Sequence, residues 1–202
     1  MENYSEKKRS SCGLAGIMNE QGEKMSGEKI INSISVMQER SNGLGGGFSA
    51  YGIYPDFREQ YAFHIIFEDE DAKQKTERFI GKNFEIVEEG AIPTREPEKS
   101  VDSPPILWRY FLNPGENLSS EEDEKDFVME KVMEINRKIE NSFVISSGKN
   151  MGIFKGVGFP EDIGRYYMLS KYQGYIWIAH GRFPTNSSGW WGGAHPFGLL
   201  DW

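Results

Sequence analysis

Apolar residues recur along this chain with two periods, every second residue and every third or fourth, and the changes of period mark out its elements. Cys12–Met18 carries small and apolar residues without a charge, which suits a buried first strand closing at Asn19-Glu20-Gln21-Gly22. Beyond Ser26, Ile30, Ile34 and Met37 share one helical face with Ile31 beside them, and Ser26 is placed to cap that helix. Arg40-Ser41-Asn42-Gly43-Leu44-Gly45-Gly46-Gly47 is too rich in glycine for a helix and reads as a loop. Two strands follow, Phe48–Tyr54 and Tyr61–Phe67. In the second, Tyr61, Phe63, Ile65 and Phe67 fall on one side.

The pattern then turns helical over Asp69–Ile80, with a stop expected at Gly81. Short strands are expected at Phe84–Val87 and Ile106–Leu112. Ser119 and Ser120 precede an acidic first turn, with Glu122 and Asp123 three residues on, the pattern of a capping box. Val128, Val132, Ile135 and Ile139 form the apolar stripe of that helix, so its acidic run is a solvated face. Ser142–Ser146 and Met151–Val157 predict a hairpin around Ser147-Gly148-Lys149-Asn150. A short helix at Pro160–Leu169 leads to Tyr175-Ile176-Trp177-Ile178-Ala179-His180, a buried strand. Strands outnumber helices and helices fall between strand pairs, which implies one layered α+β domain.

Composition narrows the function. The 202 residues fit one domain or the front part of a larger one, and a hydrophobic share of 38% is enough to bury a core. A formal charge of −8 argues against nucleic acid or an anionic membrane as partner. A single cysteine forms no internal disulfide. The leader Met1–Ser11 is charged and is no secretory signal, and no uncharged apolar run reaches the roughly 18 residues of a membrane helix. A soluble cytoplasmic protein is expected. The last residues, Gly192–Trp202, are apolar and turn-rich, as if the sequence ended inside a folded region.

The candidate chemistry is sparse. The glycine loop at Gly43–Gly47 lacks the Lys-Ser/Thr ending of a phosphate loop and is followed by a strand. His64, His180 and His195 lack metal-ligand spacing. Cys12 has an ordinary reading as a small buried hydrophobe and another as a redox-sensing thiol. A third reading starts from Ser-Cys-Gly as a scission point. With the leader removed, Cys12 would carry a free α-amine of pKa about 8, able to take the thiol proton, so one residue would be both nucleophile and base. Arg182, in His180-Gly181-Arg182-Phe183-Pro184-Thr185-Asn186, stands at a strand exit where a guanidinium can grip a carboxylate.

Cys-Gly-Leu-Ala-Gly-Ile at 12–17, His-Gly-Arg-Phe-Pro-Thr-Asn at 180–186 and Gly-Trp-Trp-Gly-Gly-Ala-His-Pro-Phe at 189–197 resemble the class II glutamine amidotransferases, which are N-terminal-nucleophile hydrolases. The likeness is nearest to the glutaminase part of glutamate synthase. It implies a four-layer αββα sandwich, truncated here at its C-terminal end, with residues 1–11 a propeptide and 12–202 the front of the amidotransferase domain. It further implies that Cys12 attacks the carboxamide of L-glutamine, that Arg182 holds the substrate's α-carboxylate, and that Arg40 orders the nucleophile's surroundings. Thr185 and Asn186 are expected to shape the pocket. No cofactor is expected on this chain, FMN and iron–sulfur centres being confined to a synthase-type partner subunit that receives the ammonia. Two departures stand out. Cys12 is not the first residue, and the family's Asn-Gly oxyanion pair, expected shortly after His-Pro-Phe, is absent from the sequence. A non-catalytic glutamine-binding or scaffolding homologue, and a glutaminase for N-methylglutamate synthesis, are the alternative readings.

Overall fold

The computed structural model describes residues 11–98, 100–115, 118–183 and 188–201. The chain enters through β1 (Gly13–Met18), a two-residue β2 (Met25–Ser26) and helix α1 (Glu28–Ser35). A 3-10 turn at Gln38–Arg40 leads to β3 (Gly46–Tyr51). Helix α1 is shorter than its apolar spacing predicts, since Met37 lies beyond its end while still packing on the core. Its N-cap is Gly27 rather than Ser26, because a Cβ at 27 would meet the Leu169 carbonyl oxygen at 2.4 Å. Ser26 serves from one residue further out: its Oγ accepts the Glu28 N–H at 3.2 Å and donates to the Ser170 carbonyl at 2.9 Å.

Next come β4 (Tyr61–Phe67), α2 (Glu70–Asn83), β5 (Phe84–Ala91), β6 (Ile106–Pro114), α3 (Glu121–Lys138) and β7 (Ser142–Ser146). They form an antiparallel sheet in the order β5-β6-β4-β7, the βαββαβ topology in which both helices cover one face. Each helix has a side-chain cap: Asp69 accepts the Ala72 N–H at 2.7 Å, and Ser120 accepts the Asp123 N–H at 3.1 Å. Helix α2 passes through Gly81 instead of stopping there. Gly81 faces open space and costs only its intrinsic penalty of about 1 kcal/mol. The helix ends where Phe84 enters the core. Tyr61, Phe63, Ile65 and Phe67 do share a face, and it packs on Val128, Val132 and Ile135 of α3. Ala62 and Ile66, on the reverse of β4, join a second core.

The chain then returns through β8 (Met151–Gly156), α4 (Pro160–Tyr166), a 3-10 turn at Leu169–Lys171, β9 (Gln173–Gly174) and β10 (Ile176–Gly181). This completes an antiparallel sheet in the order β1-β10-β3-β8. The predicted hairpin of β7 and β8 is therefore not formed: β7 pairs with β4 in one sheet and β8 with β3 in the other. The turn between them is real, with Asn150 at a left-handed φ of 51°, but it crosses between sheets. The whole βαββαβ unit is thus an insertion between two neighbouring strands of the first sheet. Its two ends meet where Ala62 N–H donates to Gly148 O at 2.9 Å and Tyr61 bridges Lys149.

The α+β class with antiparallel sheets matches the sequence reading. Helices α1 and α4 cover one face of the first sheet, where Ile30, Ile34 and Ile163 meet Phe48, Trp177 and Ala179. On the opposite face Leu14 and Met18 are 63% and 61% exposed. The two units join around His64 of β4, which is wholly buried. Its Nδ1–H donates to Ile153 O at 2.9 Å, and its Nε2 accepts the Tyr54 hydroxyl at 2.7 Å. Burial holds its pKa down to about 3. No helix among the described residues is long and apolar enough to cross a membrane.

Candidate functional site

β1, β10 and β3 end together on a row of glycines, Gly13 paired with Gly181 and Gly181 with Gly46. Small residues are needed there because the start of α4 presses on the sheet: a Cβ at Gly46 would lie 2.7 Å from Pro160 Cα. One residue further out stand Cys12, Arg182 and Gly45. The Arg182 N–H donates to Gly45 O at 2.8 Å, and its carbonyl accepts Asn42 N–H at 3.4 Å and Ser41 Oγ at 3.3 Å. The glycine-rich loop therefore holds the backbone of the arginine, a role fixed by hydrogen bonds rather than by phosphate. The Arg182 side chain donates from Nη1 to Gly193 O at 3.3 Å.

Cys12 is exposed. Arg40, closing its 3-10 turn, donates from Nη1 to the hydroxyl of Ser11, the residue before the cysteine. Strand pairing and this contact thus bring Cys12, Arg40 and Arg182 to one end of the first sheet. Thr185 and Asn186 lie outside the described residues, as do residues 1–10 of the predicted propeptide.

The next row on the same sheet face, two residues inward, runs Leu14, His180, Gly47, Lys155 across four strands. The segment that carries Ala194-His195-Pro196-Phe197 lies over it. His195 stacks on His180 with ring centroids 4.7 Å apart and planes at 28°. Lys155 is buried under the same segment, where its ammonium donates to Gly192 O at 3.0 Å and Pro196 O at 3.3 Å and lies 4.2 Å from the Phe197 ring centroid.

Electrostatics keep this row neutral in its imidazoles. Burial, then the charges of His195 and Arg182, bring the His180 pKa down to about 4. Burial, then Arg182 and Lys155, lowers that of His195. Burial alone brings Lys155 to about 8. The Lys155 ammonium is held by the Gly192 and Pro196 carbonyls and is not presented to the surface. The buried His180 Nδ1 has no hydrogen-bond partner among the described residues. Metal-ligand spacing gives these histidines no role, whereas the fold stacks them on each other beside the row of Arg182 and Cys12. Lys155 escapes the sequence reading altogether. Its signal is a lone charge inside the otherwise apolar and small Met151–Gly156.

Residues 46–201 match the family of class II glutamine amidotransferases, and the chain belongs to that family. The match takes in Arg182, the His180–His195 stack and Lys155, while Cys12 and Arg40 precede it. The chain is also similar to an uncharacterized protein of Archaeoglobus fulgidus, 52% identical over 201 residues. That similarity covers 98% of this chain and 53% of the relative, so the chain spans about half of the relative's length.

Proposed function

We propose that the protein supplies the glutaminase half of an ammonia-transferring synthase, with Cys12 as nucleophile once residues 1–11 are removed. The observation that carries this reading is the register of β1 on β10, which brings Cys12 and Arg182 to the same paired strand ends. Directly opposed residues of an antiparallel pair sit about 5 Å apart with side chains on one face. A glutamine whose α-carboxylate is gripped by Arg182 would then present its side-chain carboxamide along the sheet towards the thiol.

In this reading the α-amine of Cys12 takes the thiol proton and the sulfur attacks the carboxamide carbon. The tetrahedral adduct collapses with cleavage of the C–N bond, and the amine returns its proton to the departing ammonia. Water then attacks the γ-glutamyl thioester, breaking the C–S bond to release glutamate and restore the thiol. Arg182 binds and orients, and Arg40, whose bond to the Ser11 hydroxyl is given up when the leader leaves, stands beside the new N-terminus. The neutral His180–His195 pair does not compete for the proton. The acceptor is a synthase-type partner subunit, which would hold any FMN or iron–sulfur centre. The family's four-layer αββα arrangement would set a second sheet on the face where Leu14 and Met18 are exposed.

A non-catalytic glutamine-binding role is favoured by one observation, the residues that precede Cys12. Intact mass and N-terminal sequencing of the protein from its native host separate the two. A mature chain beginning at Cys12, with glutaminase activity that Cys12→Ser abolishes, is the expected result. A chain that retains its leader and still binds glutamine would overturn the enzymatic reading.

A further inference from the structure

At the junction of the two units, far along β3 and β10 from Cys12, lies a cavity of about 300 Å³. Its walls come from three places: Ile53 and Tyr54 after β3, Pro93 and Arg109 of the inserted unit, and Met168, Lys171 and Tyr172 before β10. Arg109 points to this junction because it shares the face of β6 that carries Leu107 and Phe111, opposite the helices. Its guanidinium is fixed between two rings, 5.0 Å from the centroid of Tyr54 and 4.9 Å from that of Phe111.

What this cavity lacks is an anion. Neither Arg109 nor Lys171 forms an ion pair among the described residues, although the chain carries a formal charge of −8. The Arg109 Nε and the Tyr172 hydroxyl are both buried without a geometrically sound hydrogen-bond partner among the described residues. A half-buried guanidinium with no counter-charge and an unpaired Nε–H, set against the Tyr54 and Tyr172 hydroxyls, is costly to maintain, and a ligand carboxylate would offset that cost. The hydroxyl of Tyr54 is committed to His64, which leaves Tyr172 as the neutral donor of the pocket. The remaining wall, Ile53, Pro93, Met168 and the two tyrosine rings, is apolar and suits a hydrocarbon or aromatic body.

We propose that this cavity binds a small metabolite with one carboxylate and an apolar body, the carboxylate meeting Arg109 and Lys171. A planar carboxylate matches the guanidinium fork held between the rings, and two cations with one hydroxyl donor satisfy a single carboxyl group. The site is separate from that of glutamine, and its walls bridge the inserted unit to the strands that end at the thiol and at Arg182.

Thermal melting of the whole chain with 3-phenylpropionate, its uncharged amide and inorganic phosphate tests the assignment. The acid, at about a hundredfold excess over its Kd, should raise Tm by roughly 5–10 °C. The amide should not. Lys171→Glu, at an exposed position that leaves folding intact, should abolish the rise, and Arg109→Gln should reduce it at least tenfold in affinity. The proposal is overturned by no rise with the acid, by an equal rise with the amide, by a larger rise with phosphate, or by a rise that persists in Lys171→Glu. Because the readout is binding, its failure leaves the glutaminase reading untouched.

Discussion

Gly47 leaves room for the backbone of His195: a Cβ at position 47 would lie 2.2 Å from the His195 carbonyl oxygen and 2.7 Å from Lys155 Cβ. The segment over the site can reach the sheet only because this residue has no side chain. Gly47→Ala should therefore lift residues 190–197 and destabilise the protein by about 1–3 kcal/mol. Gly81→Ala, in the exposed and uncrowded part of α2, should instead stabilise it by about 0.5–1 kcal/mol. Opposite shifts in the two thermal melts are the expected result; equal shifts would mean that the close approach at Gly47 carries no energy.

Lys155 ties the same segment down through two carbonyls. Removing its donors with Lys155→Met should lower the urea midpoint by an amount equivalent to about 1–3 kcal/mol. Amide exchange at Gly193 and Ala194 should quicken. The pH dependence has a definite sign. The folded pKa, about 8, lies below the usual value for lysine of 10.5, so the unfolded chain holds the extra proton between them. Stability should rise with pH across that window in the parent protein and not in Lys155→Met.

His64 predicts the acid side. Its folded pKa of about 3 is below the unfolded 6.5, so from pH 6.5 downward the unfolded chain takes up a proton that the folded one refuses. Stability is complete above about pH 6.5 and falls by about 1.4 kcal/mol per pH unit below it, with His180 adding in the same direction down to about pH 4. In His64→Gln the amide can donate to Ile153 O and accept from Tyr54 without titrating. Urea melts at several pH values should show a slope shallower by one proton; an unchanged slope would remove His64 from the account.

Arg182→Lys keeps the charge at the strand exit but loses the planar fork. On the glutaminase reading, KM for glutamine of the chain beginning at Cys12 should rise roughly 10- to 100-fold, with a smaller change in kcat. An unchanged KM would mean that the α-carboxylate is held elsewhere.

Much of this fold is legible in the sequence where one residue's neighbours are local. The cap at Ser120 and the alternation in β4 follow from short-range pattern, and the structure keeps them. The β7–β8 connection does not, because Ser147-Gly148-Lys149-Asn150 encodes a turn and says nothing of which partner each strand takes. That choice is made by β4 and β3, both distant in sequence. The same limit applies to the site. Arg182 and Cys12 are visible because motifs surround them, whereas Lys155 acquires meaning only from the carbonyls of Gly192 and Pro196. Arg109 reads as an ordinary polar position of a strand until β6 sets it against Tyr54.

The meeting of Tyr61 with Lys149 has a consequence for the order of assembly. β3 and β8 are partners in the sheet, yet the entire βαββαβ unit separates them along the chain. Closing so long a loop directly is slow and entropically costly. Once the unit has formed, however, its own ends hold the tail of β3 and the head of β8 within bridging distance, and their pairing becomes in effect a short-range event. The insertion thus acts as a folded staple for the sheet that carries the thiol. In pulse-labelled exchange, amides of β4 and β6 should gain protection before those of β3 and β8.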